Sequence, residues 1–159
     1  KIRNNQGIRK IKRMSIIVRN LNKKYRLNEK FIKKLTADIL KILRKPRSAE
    51  LEIIFLSDSA IRPLNRRYKG RNISTDVLSF ELGELGEVII SSDTALRNSK
   101  IFNTSFEEEI VLYIIHGILH LFGYDDESVA AKNRMSKKEN DIMERLCGKE
   151  NLSTVLTRR

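Results

Sequence analysis

The chain has 159 residues, of which 40% are hydrophobic and 33% are charged, a composition typical of a globular cytosolic domain rather than a disordered or fibrous protein. Its single cysteine, Cys147, excludes an intrachain disulfide and a cysteine-rich zinc site, so any metal would need histidine and carboxylate ligands. The most apolar stretch, residues 110–124, is too short to span a bilayer, and the apolar segment 14–18 is too short for a secretion signal.

The formal net charge of +12 is unevenly distributed along the chain. Residues 1–13 contain six basic and no acidic residues, so about half of the net charge lies in a short basic extension or leader that need not be ordered, with Met14 as a candidate start. Residues 14–148 are predicted to form one domain, and residues 149–159 a basic C-terminal tail. A basic surface favours a polyanionic partner, most simply RNA or DNA, and the alternative is charge that serves solubility alone.

The first third of the chain predicts a strand, a helix and a second strand. β-branched residues over residues 14–20 indicate the first strand. Asn28 is a suitable helix N-cap, and apolar residues recur at helical spacing after it until Pro46 stops the helix. Residues 50–56 predict the next strand.

The middle of the chain predicts a helix, two short strands and a further short helix. A cap beginning at Ser57 precedes a helix over residues 60–68. The two strands follow over residues 77–82 and 87–91, and a cap at Ser92 can start the next helix.

The last third of the chain contains the most apolar predicted helix. Ser105 and Glu108 have the spacing of a capping box, and the helix should run to about Phe122, with Gly123 ending it. Because it is apolar nearly all round, it should be the central, buried helix. A last helix is predicted over residues 136–146. The pattern predicts an α+β (mixed α/β) fold with one sheet of about four strands and about five helices.

The two histidines of the chain lie one turn apart on this central helix. Side chains at positions i and i+4 share one face, so His116 and His120 can bind one ion at about 2 Å. Gly123 lets the chain reverse, and the acidic residues 125–127 can then supply a third ligand. Three protein ligands with an open position are typical of catalytic metal sites. The alternative is a buried helix whose histidines hydrogen-bond within the core.

This histidine spacing also occurs in the zinc-protease signature His-Glu-x-x-His. Here Gly117 follows His116, so the glutamate base of that signature is absent. The sequence therefore disfavours a zinc protease and a peptide substrate.

The chain resembles the YbeY family of endoribonucleases over about residues 14–146. Residues 116–126, His-Gly-Ile-Leu-His-Leu-Phe-Gly-Tyr-Asp-Asp, are similar to the family's His-Gly-x-Leu-His-Leu-x-Gly-Tyr-Asp-His. Residues 75–80, Thr-Asp-Val-Leu-Ser-Phe, match a second family motif that precedes a hairpin, and residues 64–70, Leu-Asn-Arg-Arg-Tyr-Lys-Gly, also fit.

The resemblance implies a metal-dependent, single-strand-specific endoribonuclease of the cytoplasm that acts in rRNA maturation and ribosome quality control. Its partners would be single-stranded RNA, including rRNA, and the ribosome or ribosomal proteins, with no membrane. One divalent metal ion, zinc in the family, would be bound by His116, His120 and Asp126, and the catalytic residues would be His116 and Lys69. A non-enzymatic ribosome-assembly factor with a structural metal is the alternative.

Two positions depart from the family pattern. Asp126 replaces the family's third histidine; a carboxylate is an accepted metal ligand, but two histidines and one carboxylate also suit iron(II) and other divalent metals. Lys69 stands where the family has an arginine, which keeps the charge but loses the bidentate grip on a phosphate. Arg66, Arg67 or Arg71 could supply that grip instead.

Overall fold

Four strands form one mixed sheet in the computed structural model, which describes residues 14–44, 50–83 and 85–157. The strands are β1 (Ser15–Asn20), β2 (Glu50–Leu56), β3 (Val77–Leu82) and β4 (Leu85–Ser91), in the spatial order β1-β2-β4-β3. β1, β2 and β4 are parallel, and β3 pairs antiparallel with β4 at one edge of the sheet. The extension predicted for residues 1–13 lies outside the described residues.

Five α-helices accompany the described part of the sheet. They are α1 (Glu29–Ile42), α2 (Asp58–Lys69), α3 (Ser92–Phe102), α4 (Phe106–Leu121) and α5 (Val129–Cys147). This confirms the predicted α+β class, with about four strands and about five helices. None of these helices is long and apolar enough to cross a membrane.

Successive residues of β2 and β4 point to opposite faces of the sheet, and each face carries an apolar layer. In the larger layer α1, α4 and α5 cover the side chains of Ile53, Phe55, Val88 and Ile90. In the smaller layer α2 contributes Ile61 and packs on the side chains of Ile54, Leu78, Ile89 and Phe80. The two faces thus place α2 on the opposite side of the sheet from α4.

Helix α4 is the central, buried helix, as its composition predicts. Its side chains at Ile110, Ile114, Ile115, Ile118 and Leu119 are all fully buried. The predicted capping box is present, since Ser105 Oγ accepts from the Glu108 N–H and the Glu108 carboxylate accepts from the Ser105 N–H. These two hydrogen bonds satisfy backbone N–H groups at the start of α4, at the end of the helix opposite the histidines.

Helix α5 begins two turns earlier than its predicted start at residue 136. Ser128 caps it by accepting from the Ala131 N–H at 3.0 Å, and Ala131 and Met135 are buried in its first turns. The intervening residues 132–134 are polar and exposed, which hides the apolar spacing in the sequence.

The structured part of the chain continues beyond the domain boundary predicted at residue 148. A short 3-10 helix (Leu152–Val155) follows α5, and Val155 is fully buried in the larger layer. The Val155 carbonyl accepts from the Asn28 N–H at 2.8 Å, and Leu27 pairs with Leu156. Much of the segment predicted as a basic tail therefore packs against the start of α1.

Candidate metal centre

A close approach between α4 and the sheet positions the two histidines. Gly117 lies against β4, where a Cβ atom would come within 2.3 Å of Val88 Cγ1, so the position has no room for a side chain. Ser79 Oγ of the edge strand donates to the Gly117 carbonyl at 3.0 Å. These contacts fix the turn of α4 that carries His116 and His120.

The imidazole rings of His116 and His120 face each other, with their Nε2 atoms 3.0 Å apart. His116 Nδ1 lies 2.6 Å from Glu139 Oε1, and His120 Nδ1 lies 3.0 Å from the Tyr124 carbonyl oxygen. A carbonyl and an ionised carboxylate only accept hydrogen bonds, so each Nδ1 is the protonated donor and each Nε2 carries its lone pair inward. Two converging lone pairs require a shared proton or a metal cation between them.

A carboxylate completes the cluster. One ligand atom each from His116, His120 and the exposed Asp126 all lie within 4.8 Å of one another. Gly123, at φ +87°, reverses the chain after α4. Two imidazole nitrogens and a carboxylate oxygen are a donor set that fits zinc or iron(II), so the residues present suit a divalent metal.

Asp125, the neighbour of Asp126, has a local role in the same turn. Its Oδ1 accepts from the Glu127 backbone N–H at 3.2 Å, and the described cluster of ligand atoms does not include it.

The charges around the site act in opposite directions on the two histidines. Burial works to lower the pKa of His116, but the hydrogen bond and charge of Glu139, with the charges of Asp76 and Asp126, raise it above its ordinary value. Burial and the charge of His116 lower the pKa of His120. The two imidazoles therefore differ in their affinity for a proton, although they lie on one helix face.

Lys69 is the last residue of α2, which covers the other face of the sheet from α4. Gly70, at φ +69°, caps the helix. The exposed Lys69 ammonium is close enough to lower the pKa of His120 further.

The other basic candidates lie elsewhere on α2 and its following loop. Arg66 and Arg67 line a groove on the outer side of α2, and Arg71 is exposed in the loop, where its backbone N–H donates to the Asn65 carbonyl at 3.4 Å. Asp76 shapes the turn into β3, because its Oδ1 accepts from the Thr75 hydroxyl and the Val77 N–H.

Glu139 is the site residue that sequence reasoning missed. Its side chain is only 13% exposed, on the inner side of α5. The signal was a carboxylate at helical spacing with the buried positions Met135, Ile142 and Leu146, where an apolar residue would be expected. Recognising α5 only from residue 136 onward concealed this stripe.

The sequence of the chain is similar to those of known proteins. The sequence profile of the family described as Endoribonuclease YbeY matches residues 17–147. A relative from Syntrophus aciditrophicus, named Endoribonuclease YbeY, is 34% identical over an alignment of 141 residues that covers 81% of this chain and 88% of that protein. One of the same name from Desulforamulus reducens is 35% identical over an alignment of 150 residues that covers 84% of this chain and 97% of that protein.

A solved structure shares the fold. The solution structure of a Thermotoga maritima protein superposes with a TM-score of 0.62 at 29% sequence identity, covering 84% of this chain and 89% of that one. The match spans most of both chains, so it includes both the sheet and the helices around it.

Proposed function

Because this chain belongs to the YbeY family of endoribonucleases, we propose that it is a metal-dependent endoribonuclease that cleaves single-stranded RNA. The observation that carries the proposal is the pair of Nε2 atoms 3.0 Å apart, with Asp126 beside them. Such a cluster of three ligands leaves coordination positions for substrate and water, which a purely structural site fills with protein groups.

Some residues of the site would bind the metal ion, and others orient the two imidazole rings. His116 and His120 would hold the ion through Nε2, and Asp126 through its carboxylate. Glu139 and the Tyr124 carbonyl keep both Nδ1 protons in place, so that both Nε2 lone pairs stay directed at the site. A divalent ion, when bound, supplies a Lewis acid for the phosphate and lowers the pKa of a water molecule, which allows hydrolysis near neutral pH.

Lys69 is the proposed phosphate clamp. Its ammonium would bind a phosphate oxygen of the substrate and offset the negative charge that builds there in the transition state. A single strand can bend so that one phosphate meets both Lys69 and the histidine cluster, whereas a duplex resists this bending. We expect the preference for single strands from this difference in flexibility.

The wider role follows from the family. We propose zinc as the ion, rRNA as the substrate in rRNA maturation and ribosome quality control, and the ribosome or its proteins as partners in the cytoplasm. The formal net charge of the chain, +12, is consistent with an RNA substrate.

The test compares the parent protein with His116→Ala and Lys69→Ala on labelled single-stranded rRNA fragments and matched duplexes, under several divalent metals. The parent should cleave only the single strands, and His116→Ala should lose both metal and cleavage. Lys69→Ala should keep its metal and its melting temperature, because an exposed lysine contributes little to stability, yet lose most of its activity. Lys69→Arg, which keeps the charge, should remain active.

Identical cleavage by the parent and His116→Ala would assign the activity to a contaminant and refute the enzyme. No cleavage under any metal, with salt-sensitive RNA binding retained, would favour a ribosome-assembly factor with a structural metal.

A further inference from the structure

The outer side of α2 carries a basic groove that the metal site does not use. The groove has a volume of about 350 Å³ and is lined by Ser59, Arg62, Pro63, Arg66, Arg67 and Asn72. We propose that this groove, called here the arginine groove, binds the backbone phosphates of the single-stranded RNA on one side of the cleavage position. The inference deepens the proposed function, since it assigns the path of the same substrate.

The arginine charges in the groove are not neutralised by the protein. Helix α2 contains one acidic residue, Asp58, and that carboxylate is paired with Arg97 of α3 at 2.7 Å. Within residues 14–44, 50–83 and 85–157, no carboxylate lies in ion-pair distance of Arg62, Arg66 or Arg67. Three uncompensated guanidinium groups along one groove favour a polyanion.

The loop after α2 forms a wall of the groove and orients one of the arginines. Asn65 Nδ2 donates to the Ile73 carbonyl at 2.9 Å, which holds the loop along the helix. Arg62 Nε donates to Asn72 Oδ1 at 3.1 Å, which leaves both Nη groups of Arg62 for an external acceptor. This is a built arrangement of donors rather than a row of free surface side chains.

The helix dipole explains only some of these charges. Basic residues in the last turn of a helix complement its negative end, which accounts for Arg66, Arg67 and Lys69. Arg62 lies in the middle of α2, outside the reach of that effect. Its position one turn before Arg66 instead extends the positive charge away from the helix end.

The groove runs along α2 toward Lys69. Arg62, Arg66 and Lys69 follow one another at intervals of four and three residues, so they form one stripe about 10 Å long. Its far end, Lys69, is the last residue of α2 and the phosphate clamp proposed above. A strand held at Lys69 can therefore continue along the stripe with further phosphates bound by Arg66 and Arg62.

An exposed aromatic ring at the same end suits an unpaired base. Tyr68 is 54% exposed, packs edge-on against Phe80, and lies 5.5 Å from the Arg67 guanidinium. Aromatic rings beside arginines provide stacking surfaces for single strands of any sequence.

The test measures binding of a fluorescent oligouridine, which has no secondary structure, to Arg62→Gln/Arg66→Gln and to the parent over a range of salt concentrations. Each arginine that contacts a phosphate of a single strand contributes about 0.7 to the slope of log affinity against log salt. The double variant should therefore lose about 1.4 of that slope and bind roughly tenfold more weakly. Gels after each titration verify that the RNA is intact.

The matched control is Lys30→Gln/Lys33→Gln, which removes the same charge from exposed positions of α1, on the other face of the sheet. Its affinity and slope should stay close to those of the parent. Equal losses of affinity in the two double variants would show that only net charge matters. An unchanged affinity of the arginine variant would show that RNA does not bind in the groove. Either result overturns the proposal.

The readout separates this inference from the proposed activity. Binding that depends on the arginines in a protein that cleaves nothing would reject the hydrolase and keep the groove. Cleavage of long single strands that is unaffected by Arg62→Gln/Arg66→Gln would keep the hydrolase and reject the groove.

Discussion

Two neighbouring aspartates follow the histidine helix, and only Asp126 joins the cluster of ligand atoms. Asp126→Asn should weaken metal retention strongly, because it removes the anionic ligand. Asp125→Asn, the matched control, should weaken it much less, since Asp125 accepts from the Glu127 N–H within the turn. Elemental analysis of protein purified without chelators measures the difference, and equal metal loss in both variants would contradict the assignment. Asp126→His should bind zinc at least as well as the parent.

Glu139 acts on the site through His116. Its carboxylate fixes the Nδ1 proton of that ring and thereby directs Nε2 inward. Glu139→Gln keeps the length of the side chain but loses the charge, so metal affinity should fall about 10- to 100-fold. Titration against a chelator gives the affinity, with Glu144→Gln on the exposed side of α5 as the control. An affinity unchanged from that of the parent would restrict Glu139 to a role in packing.

Among the elements, α4 can pack closely on the sheet because Gly117 has no side chain. A Cβ atom at Gly117 would meet Val88 Cγ1 at 2.3 Å and Val77 Cγ1 at 3.1 Å, and both belong to strands rather than to flexible surface groups. Gly117→Ala should therefore cost about 1–3 kcal/mol of unfolding free energy and move the histidines away from the sheet.

The compensating change tests the cause of that loss. Val88→Ala removes the methyl groups nearest to Gly117, so the double variant should be less destabilised than the sum of the two single variants. Urea denaturation of the four proteins gives the coupling energy. Strictly additive effects would mean that helix and sheet do not meet as closely as the structure has them.

The elements with a strong local pattern could be predicted from the sequence. β2 and β3 have the predicted bounds, and α4 begins at the predicted capping box. The start of α5 and the packing of Val155 could not, because each depends on contacts with residues distant in the sequence. A single apolar residue among charged ones shows that it is buried only once the surface it packs against is known.

The residues of the site also differ in whether the sequence alone can predict them. His116, His120 and Asp126 lie within eleven consecutive residues, so helical spacing and one turn glycine suffice to bring them together. Glu139 comes from another helix and the arginine groove from the other face of the sheet, so their places follow only from the tertiary fold. Sequence spacing therefore predicts the cluster of His116, His120 and Asp126, and the structure is needed for the groups around it and for the groove.

At the scale of the whole molecule, a polar network joins the carboxyl ends of the parallel strands. Asp58 at the start of α2 accepts from the hydroxyls of Ser91 and Thr94 and from Arg97, all on or beside α3. Asp93 accepts from the backbone N–H of Asp58, and also from the loop after β1 through Asn22 and Tyr25. The two carboxylates therefore connect three segments that are far apart in the sequence.

The charges of this network make stability depend on pH. Burial works to raise the pKa of Asp58 and Asp93, but their hydrogen bonds and the cations Arg97 and Lys24 lower both below the ordinary value of 3.8. Because the folded pKa is the lower one, the unfolded chain binds more protons in this range. The stabilisation is complete above the unfolded pKa and is lost as the pH falls through the folded pKa.

Asp93→Asn should therefore be less stable than the parent at neutral pH, and the difference should shrink at a pH below 3.8, where the carboxylate of the unfolded parent chain takes up a proton. The amide places a donor or a neutral acceptor where the Asp58 N–H, Asn22 and Tyr25 all donate, so the loss at neutral pH reflects both charge and hydrogen bonding. Urea denaturation at the two pH values measures it, with Asp141→Asn on the surface of α5 as the control. A difference between parent and Asp93→Asn that is the same at both pH values would show that the carboxylate charge does not hold the three segments together.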